Sequence, residues 1–275
     1  MRIFSDNMYW IWKITVSSEF WIIVQLLGWC GKGKSGIIKS VGTNNDLTIE
    51  REGFMTNQEI LSHVDHTLLK AVSTWEEIQK ICEEALESHT ASVCVPPSYI
   101  KRIADTYGNK INICTVIGFP LGYNTTAVKV FEVQQAIADG AGEVDMVVNI
   151  GDVKNGEFDK VTKEIEALKK AAGDHILKVI IETCYLTEEE KIRLCRCVTE
   201  GGADYIKTST GFGTAGAKIE DVRLFKQHIG PNVKIKAAGG VKTKDDLVMF
   251  LEEGCDRIGT SSALKLLNGE AAGQY

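Results

Sequence analysis

From residue 63 onward the chain alternates short apolar runs with longer stretches in which apolar residues recur every three or four positions. The runs span residues 63–69, 91–95, 111–118, 143–151, 176–183, 204–210, 233–240 and 256–262. They are Val/Ile-rich and near-continuous rather than strictly alternating, which is the pattern of parallel strands covered on both faces. Between them, 74–88 sets Trp75, Ile78, Ile81, Cys82 and Ala85 at helical spacing. Stretches 127–139, 158–172, 188–200, 219–228 and 244–253 read the same way, and Gly140, Gly201 and Gly254 stand where helices usually end. Eight strand–helix units within roughly 220 residues predict an α/β fold of the (β/α)8 (TIM) barrel type rather than an open doubly wound sheet. Such a barrel carries its chemistry at the C-terminal ends of the strands. Polar residues gather at those ends: Asp65, Cys94, Thr115, Asp145, Asn149, Lys207, Ser209, Lys236, Ser261 and Ser262.

Residues 1–54 do not share this pattern. Four of the five tryptophans fall there and none of the five histidines does. The segment shows no sustained helical or strand period and runs into a Gly/Ser/Asn-rich stretch from Gly31 to Asn45. The apolar run Phe20–Trp29 is too short to cross a bilayer, and no small-residue cleavage pattern marks a signal peptide. Gly28–Ser35 (GWCGKGKS) satisfies the phosphate-loop pattern, but neither a helix nor a set of parallel strands is indicated around it, so the match reads as chance. Met55 opens a helix start, with Thr56 or Asn57 as cap and Glu59 in the first turn. The division expected is therefore an extension over 1–54 that is poorly structured or dispensable, or a product of start-codon choice, and a barrel over 55–275.

Composition is that of an ordinary soluble globular protein: 44% hydrophobic and 25% charged residues, with a formal net charge of −6. That acidity argues against nucleic acid as a partner, because phosphate backbones are bound by basic surfaces. The eight cysteines are scattered through strands and helices and read as reduced thiols in a cytoplasmic protein. Cys195-x-Cys197, on a helical stretch, has no second cysteine or histidine pair at zinc-site spacing, and His63-x-x-His66 lies on a strand, which puts positions three apart on opposite faces. No metal and no cofactor is expected.

The chemistry concentrates on two lysines. Lys207 lies in a short strand that opens into Thr208, Ser209, Thr210 and Gly211, and Lys236 ends the next strand just before Gly239 and Gly240. A lysine in a strand can snorkel from an edge into water. Two of them in successive strand-and-glycine units point instead to one cationic pocket. Burying an ammonium is costly, and the same cost favours the neutral amine, which attacks carbonyls to form Schiff bases. Asp145, in a valine-rich strand, fits either a structural partner for lysine or a proton-transfer group. Gly211–Gly216 (GFGTAG) matches the dinucleotide pattern, but the following strand supplies lysines where that pattern wants an acid. The turns at 237–241 and 259–264 are better suited to an anion, and the loops after strands seven and eight are the usual phosphate site of a barrel.

Taken together, VDHTLLK, SVCVPPSY, CTVIGFPLG, EVDMVVNIG, LKVIIETCYL, DYIKTSTGFG, KAAGGVKT and RIGTSSAL, in this order, resemble the deoxyribose-phosphate aldolase family over residues 56–267. The resemblance implies a metal-free class I aldolase that reversibly cleaves 2-deoxy-D-ribose 5-phosphate to D-glyceraldehyde 3-phosphate and acetaldehyde in deoxyribonucleotide catabolism. It implies Lys207 as the Schiff-base lysine, Lys236 as the lysine that perturbs it, and Asp145 as the proton relay. Asp65, Cys94 and Lys178 match pocket positions, and Gly211, Gly239, Gly240, Ser261 and Ser262 match phosphate contacts. Phe212 stands where some relatives carry a lysine, which removes one charged phosphate contact. A homodimer is a further implication of the resemblance. The alternatives are another Schiff-base phosphosugar aldolase or lyase on the same barrel, or a barrel that binds sugar phosphate without catalysis.

Overall fold

The computed structural model describes strand residues 8–16, 22–30, 34–40 and 49–51 and the continuous stretch 55–271. The chain divides into two compact units, Met1–Thr56 and Asn57–Tyr275.

The first unit is a four-stranded sheet of β1 (Met8–Val16), β2 (Ile22–Cys30), β3 (Lys34–Ser40) and β4 (Ile49–Arg51), paired in that order. All three pairings are antiparallel. Where the sequence showed no sustained period, β1 does carry one: residues 8, 10, 12, 14 and 16 are all apolar. Tyr9 and Ile11 on the alternate positions blur it. The phosphate-loop match falls on the β2–β3 pairing, with Gly28 opposite Gly36 and Cys30 opposite Lys34. Two antiparallel strands flank the motif, and the helix N-terminus that a phosphate loop requires is replaced by β3.

In the second unit eight strands close into a parallel barrel: β5 (Val64–Thr67), β6 (Ser92–Val95), β7 (Ile113–Ile117), β8 (Glu143–Val147), β9 (Ile176–Ile180), β10 (Tyr205–Lys207), β11 (Lys234–Ala238) and β12 (Arg257–Thr260), with β12 returning to β5. The helices are α1 (Asn57–Ser62), α2 (Trp75–Ser88), α3 (Ile100–Tyr107), α4 (Thr126–Ala138), α5 (Ile150–Lys154), α6 (Phe158–Ala172), α7 (Glu188–Glu200), α8 (Ile219–His228), α9 (Lys244–Glu253) and α10 (Ala263–Leu267). Local chemistry sets their ends. Thr74, Thr187 and Thr243 cap α2, α7 and α9 in reciprocal capping boxes with Glu77, Glu190 and Asp246. Gly254 closes α9 in the left-handed conformation, whereas Gly201 stays right-handed and Gly202 takes the positive φ after α7. The anticipated face of α2, Ile78, Ile81, Cys82 and Ala85, is buried, while Trp75 is half-buried and lies under the Arg102 guanidinium.

The apolar core lies outside the barrel wall. Val64, Val144, Met146, Val179, Ile206, Ile235 and Ile258 are all buried, and they alternate along their strands with a second set that is charged. That second set, Asp65, Glu143, Asp145, Lys178, Lys207, Lys236 and Arg257, is bound together by hydrogen bonds and ion pairs. Its members come from six different strands, so the network fills the space that branched aliphatic side chains usually occupy in this fold.

Candidate active site

Strand register builds the site. Lys207 on β10 lies directly beside Lys236 on β11, and Asp145 on β8 lies beside Lys178 on β9. Every one of these side chains enters the barrel because each sits an even number of residues from another inward position on its strand. Gly259 on β12 makes room for Lys236, since a Cβ there would come within 3.1 Å of its Cε.

Asp145 is the hub. Its Oδ2 accepts hydrogen bonds from Lys207 Nζ at 2.8 Å and Lys236 Nζ at 2.7 Å, and its Oδ1 accepts one from Lys178 Nζ at 2.9 Å. The Cys114 thiol donates to the same Oδ1 at 3.2 Å. Lys236 is also paired with Asp65, and Lys178 with Glu143 at 2.5 Å. Arg257 bridges Asp65 and Glu143, reaching the two Glu143 oxygens at 3.2 and 3.0 Å. Ser92 donates to Asp65 at 2.8 Å and Asn112 to Glu143 at 2.7 Å. Four cationic side chains therefore face three carboxylates. The network carries one positive charge in excess.

Burial would raise the Asp145 carboxyl, but the ammonium groups of Lys178, Lys207 and Lys236 outweigh it and hold it well below the usual carboxylate range. Asp65 behaves alike: burial opposes ionisation, while Lys236, Lys178 and Arg257 more than compensate. Burial would lower Lys178 and Lys236, yet Asp145 chiefly, with Asp65, raises both above the ordinary lysine value. Lys236 thus stays an ammonium, a fixed positive charge that shares one carboxylate oxygen with Lys207. Of the two thiols facing each other on β6 and β7, Cys94 is lowered, first by the hydrogen bond from Cys114. Cys114 is raised by burial.

Above this floor opens a cavity of about 460 Å³, lined by Lys207 and by all five residues anticipated as phosphate contacts, Gly211, Gly239, Gly240, Ser261 and Ser262. Gly239 and Gly240 have φ of +73° and +75°, a backbone conformation that leaves their N–H groups in a turn no L-residue adopts comfortably. Thr260 Oγ1 accepts from Ser262 N–H at 3.1 Å, shaping the last strand's turn. The exposed Lys242 also lines the cavity and supplies a cation that the sequence reading left unassigned.

Three anticipated pocket residues lie elsewhere. Asp65, Cys94 and Lys178 are fully buried below the cavity and are not among its walls. Ion pairs hold Asp65 and Lys178 in the floor, and Cys94 packs with Leu69, Cys114 and Val116. Two further strand-end residues have structural partners: Thr115 donates to Val95 O at 2.8 Å, and Asn149 caps α5. His63 and His66 bond to different groups, the Asp256 carbonyl and the Glu84 carboxylate. Glu143 and Arg257 were missed. The signal was present, because each stands two residues before an inward position, Asp145 and Gly259.

Two sets of side chains have ligand-like spacing, Cys94 with Cys114 and Asp145, and Asp65 with Cys114 and Glu143. Every carboxylate in them is already held by a lysine or Arg257, so a bound cation would have to displace an ammonium or guanidinium and add to the excess of positive charge.

The DeoC/LacD family aldolase profile matches residues 59–273. A deoxyribose-phosphate aldolase of Clostridium botulinum (strain Alaska E43 / Type E3) is 68% identical over 221 residues, covering 80% of this chain and all of that protein. The deoxyribose-phosphate aldolase of Clostridioides difficile (strain 630) is 59% identical, over 79% of this chain and all of its own length. Among solved structures, the tetrameric deoxyribose phosphate aldolase from Aeropyrum pernix superposes with a TM-score of 0.73 at 30% identity, covering 78% of this chain and 92% of that one.

Proposed function

The chain belongs to the DeoC/LacD family of aldolases, and from that premise we propose that it cleaves 2-deoxy-D-ribose 5-phosphate through a Schiff base on Lys207. The observation that carries the assignment of the nucleophile is the position of Lys207. Among the network's four cations it alone lines the cavity, while its Nζ reaches down to the Asp145 carboxylate.

The neutral Lys207 amine attacks C1 of the open-chain sugar, and the carbinolamine loses water to give an iminium. The iminium draws the electrons of the C2–C3 bond as that bond breaks. The proton of the C3 hydroxyl passes to Asp145, directly or through water, and glyceraldehyde 3-phosphate leaves. The enamine remaining on Lys207 takes a proton at C2, and hydrolysis frees acetaldehyde and the amine. Lys236, held charged by Asp65 and Asp145, keeps the carboxylate that it shares with Lys207 polarised. Asp65, Glu143, Lys178 and Arg257 set the position of Asp145 from beneath. Phosphate is received by the turns of Gly211, Gly239–Gly240 and Ser261–Ser262, and Lys242 contributes charge where Phe212 cannot.

We further propose a cytoplasmic enzyme that self-associates. No helix among the described residues is long and apolar enough to cross a membrane, and one structural relative is tetrameric. Light scattering of the purified chain reads the assembly. The reaction is tested by following acetaldehyde release from 2-deoxyribose 5-phosphate. Wild type turns over and Lys207→Leu does not; turnover retained in Lys207→Leu would overturn the assignment.

A further inference from the structure

We infer that Glu182 is a positioning residue, one that holds the turn after the nucleophile's strand in the shape that receives the phosphate end of the substrate. The inference rests on the reaction proposed above and assigns a role within it. Glu182 follows β9, with φ 53° and ψ 66°. Among the described residues only one other non-glycine, His89, has a positive φ. A long side chain in that region is strained, and strain persists where the surroundings over-determine it.

The surroundings here are specific. Glu182 is 2% exposed. Its carboxylate accepts the Thr210 backbone N–H at 3.2 and 3.3 Å, and the Thr210 hydroxyl donates to Oε2. That hydroxyl oxygen accepts in turn from Phe212 N–H at 3.0 Å. Between the two bonded residues lies Gly211, at φ +88°, on the cavity wall. The loop also packs on the carboxyl, because a Cβ at Gly213 would lie 3.1 Å from Glu182 Cδ.

Both ends of this clamp are anchored in the sheet. Thr183 N–H bonds to Thr208 O at 2.9 Å and Ile181 N–H to Lys207 O at 3.1 Å, extending the β9–β10 pairing past the strand ends. Burial pushes the Glu182 carboxyl up, opposed by its Thr210 bonds and the Lys207 charge, so a buried acid is being kept where its two Thr210 donors are the compensation. Without the carboxylate, Thr210 loses the side-chain hydrogen bonds that tie it to the end of β9, and Gly211 is held less firmly on the cavity wall.

The test is steady-state kinetics on 2-deoxyribose 5-phosphate and on unphosphorylated 2-deoxyribose, for Glu182→Gly, Thr210→Val, the double variant and Thr210→Ser. Glycine accepts the φ of position 182 without strain, which separates loss of the carboxylate from loss of the fold. For each of the first two variants KM for the phosphorylated sugar should rise at least about tenfold, the order expected for losing one charge-assisted hydrogen bond, which is the least that either removes. The fall in kcat should stay within about threefold. The double variant should be no worse than the worse single one, because both break the same clamp. Thr210→Ser, which keeps the hydroxyl, should restore the wild-type KM. An unchanged preference for the phosphorylated sugar, additive effects in the double variant, or a loss confined to kcat would each overturn the inference. Borohydride trapping of wild type with acetaldehyde, which has no phosphate, reads the aldolase assignment separately: its failure would sink that assignment rather than this one.

Discussion

Replacing Asp145 with asparagine removes the carboxylate on which three ammonium groups converge. Four cations would then face only Asp65 and Glu143 in a buried site. Removing one partner from a buried ion pair costs about 3–5 kcal/mol, and here one deletion unpairs contacts to three lysines, so the upper part of that range applies. For a unit of this size each kcal/mol moves Tm by about 2–4 °C, which puts the expected fall at about 10 °C or more. Adding Lys178→Met removes one cation along with the anion and should recover a large part of that fall without restoring turnover. The pH dependence has a definite sign. Asp65 and Asp145 ionise at lower pH in the folded protein than in the unfolded chain. Their contribution is complete above the unfolded carboxylate value of about 4 and is lost as pH falls through and below it. Asp145→Asn should therefore flatten the acid limb of stability as well as lower its plateau. Thermal melts by circular dichroism and urea melts across pH 3–7 measure both. A loss under about 1 kcal/mol, or a double variant that is less stable than Asp145→Asn alone, would refute the charge-balance argument.

Three shorter predictions concern function. Asp145→Asn should slow exchange of acetaldehyde methyl protons with deuterated solvent far more than it weakens sugar binding, read by NMR and by KM. Ser261→Ala and Ser262→Ala should raise KM for the phosphorylated sugar by about three- to tenfold, with a smaller effect on kcat and little on unphosphorylated deoxyribose. A chain beginning at Met55 should fold and turn over at rates close to the full chain, since the family profile begins at residue 59 and the C. botulinum protein is matched along its whole length without the preceding segment. Loss of folding in that shortened chain would show that the N-terminal sheet supports the barrel.

The barrel was legible because period and punctuation agree. Each apolar run is bounded by a helix-period stretch, and Gly201 and Gly254 mark the ends of α7 and α9. The reactive lysines were legible because a charge inside a strand is conspicuous. What stayed hidden was long-range. Arg257 meets Asp65 and Glu143 only after the barrel closes β12 onto β5. No local spacing announces that Lys178 and Asp65 serve as floor rather than wall. The carboxyl of Glu182 gave no sign either, because its partner Thr210 lies on the next strand's turn and the positive φ of a glutamate has no sequence signature. In the N-terminal segment the β1 alternation was present but diluted, since the residues between its apolar positions include Tyr9 and Ile11.

The most direct measurement of the central claim is intact-mass analysis of the full chain after borohydride reduction in the presence of acetaldehyde, followed by peptide mapping. A two-carbon adduct confined to the peptide carrying Lys207 is the expected result, with Lys207→Leu left unlabelled. An adduct on Lys236, or a folded protein that takes up none, would contradict the account.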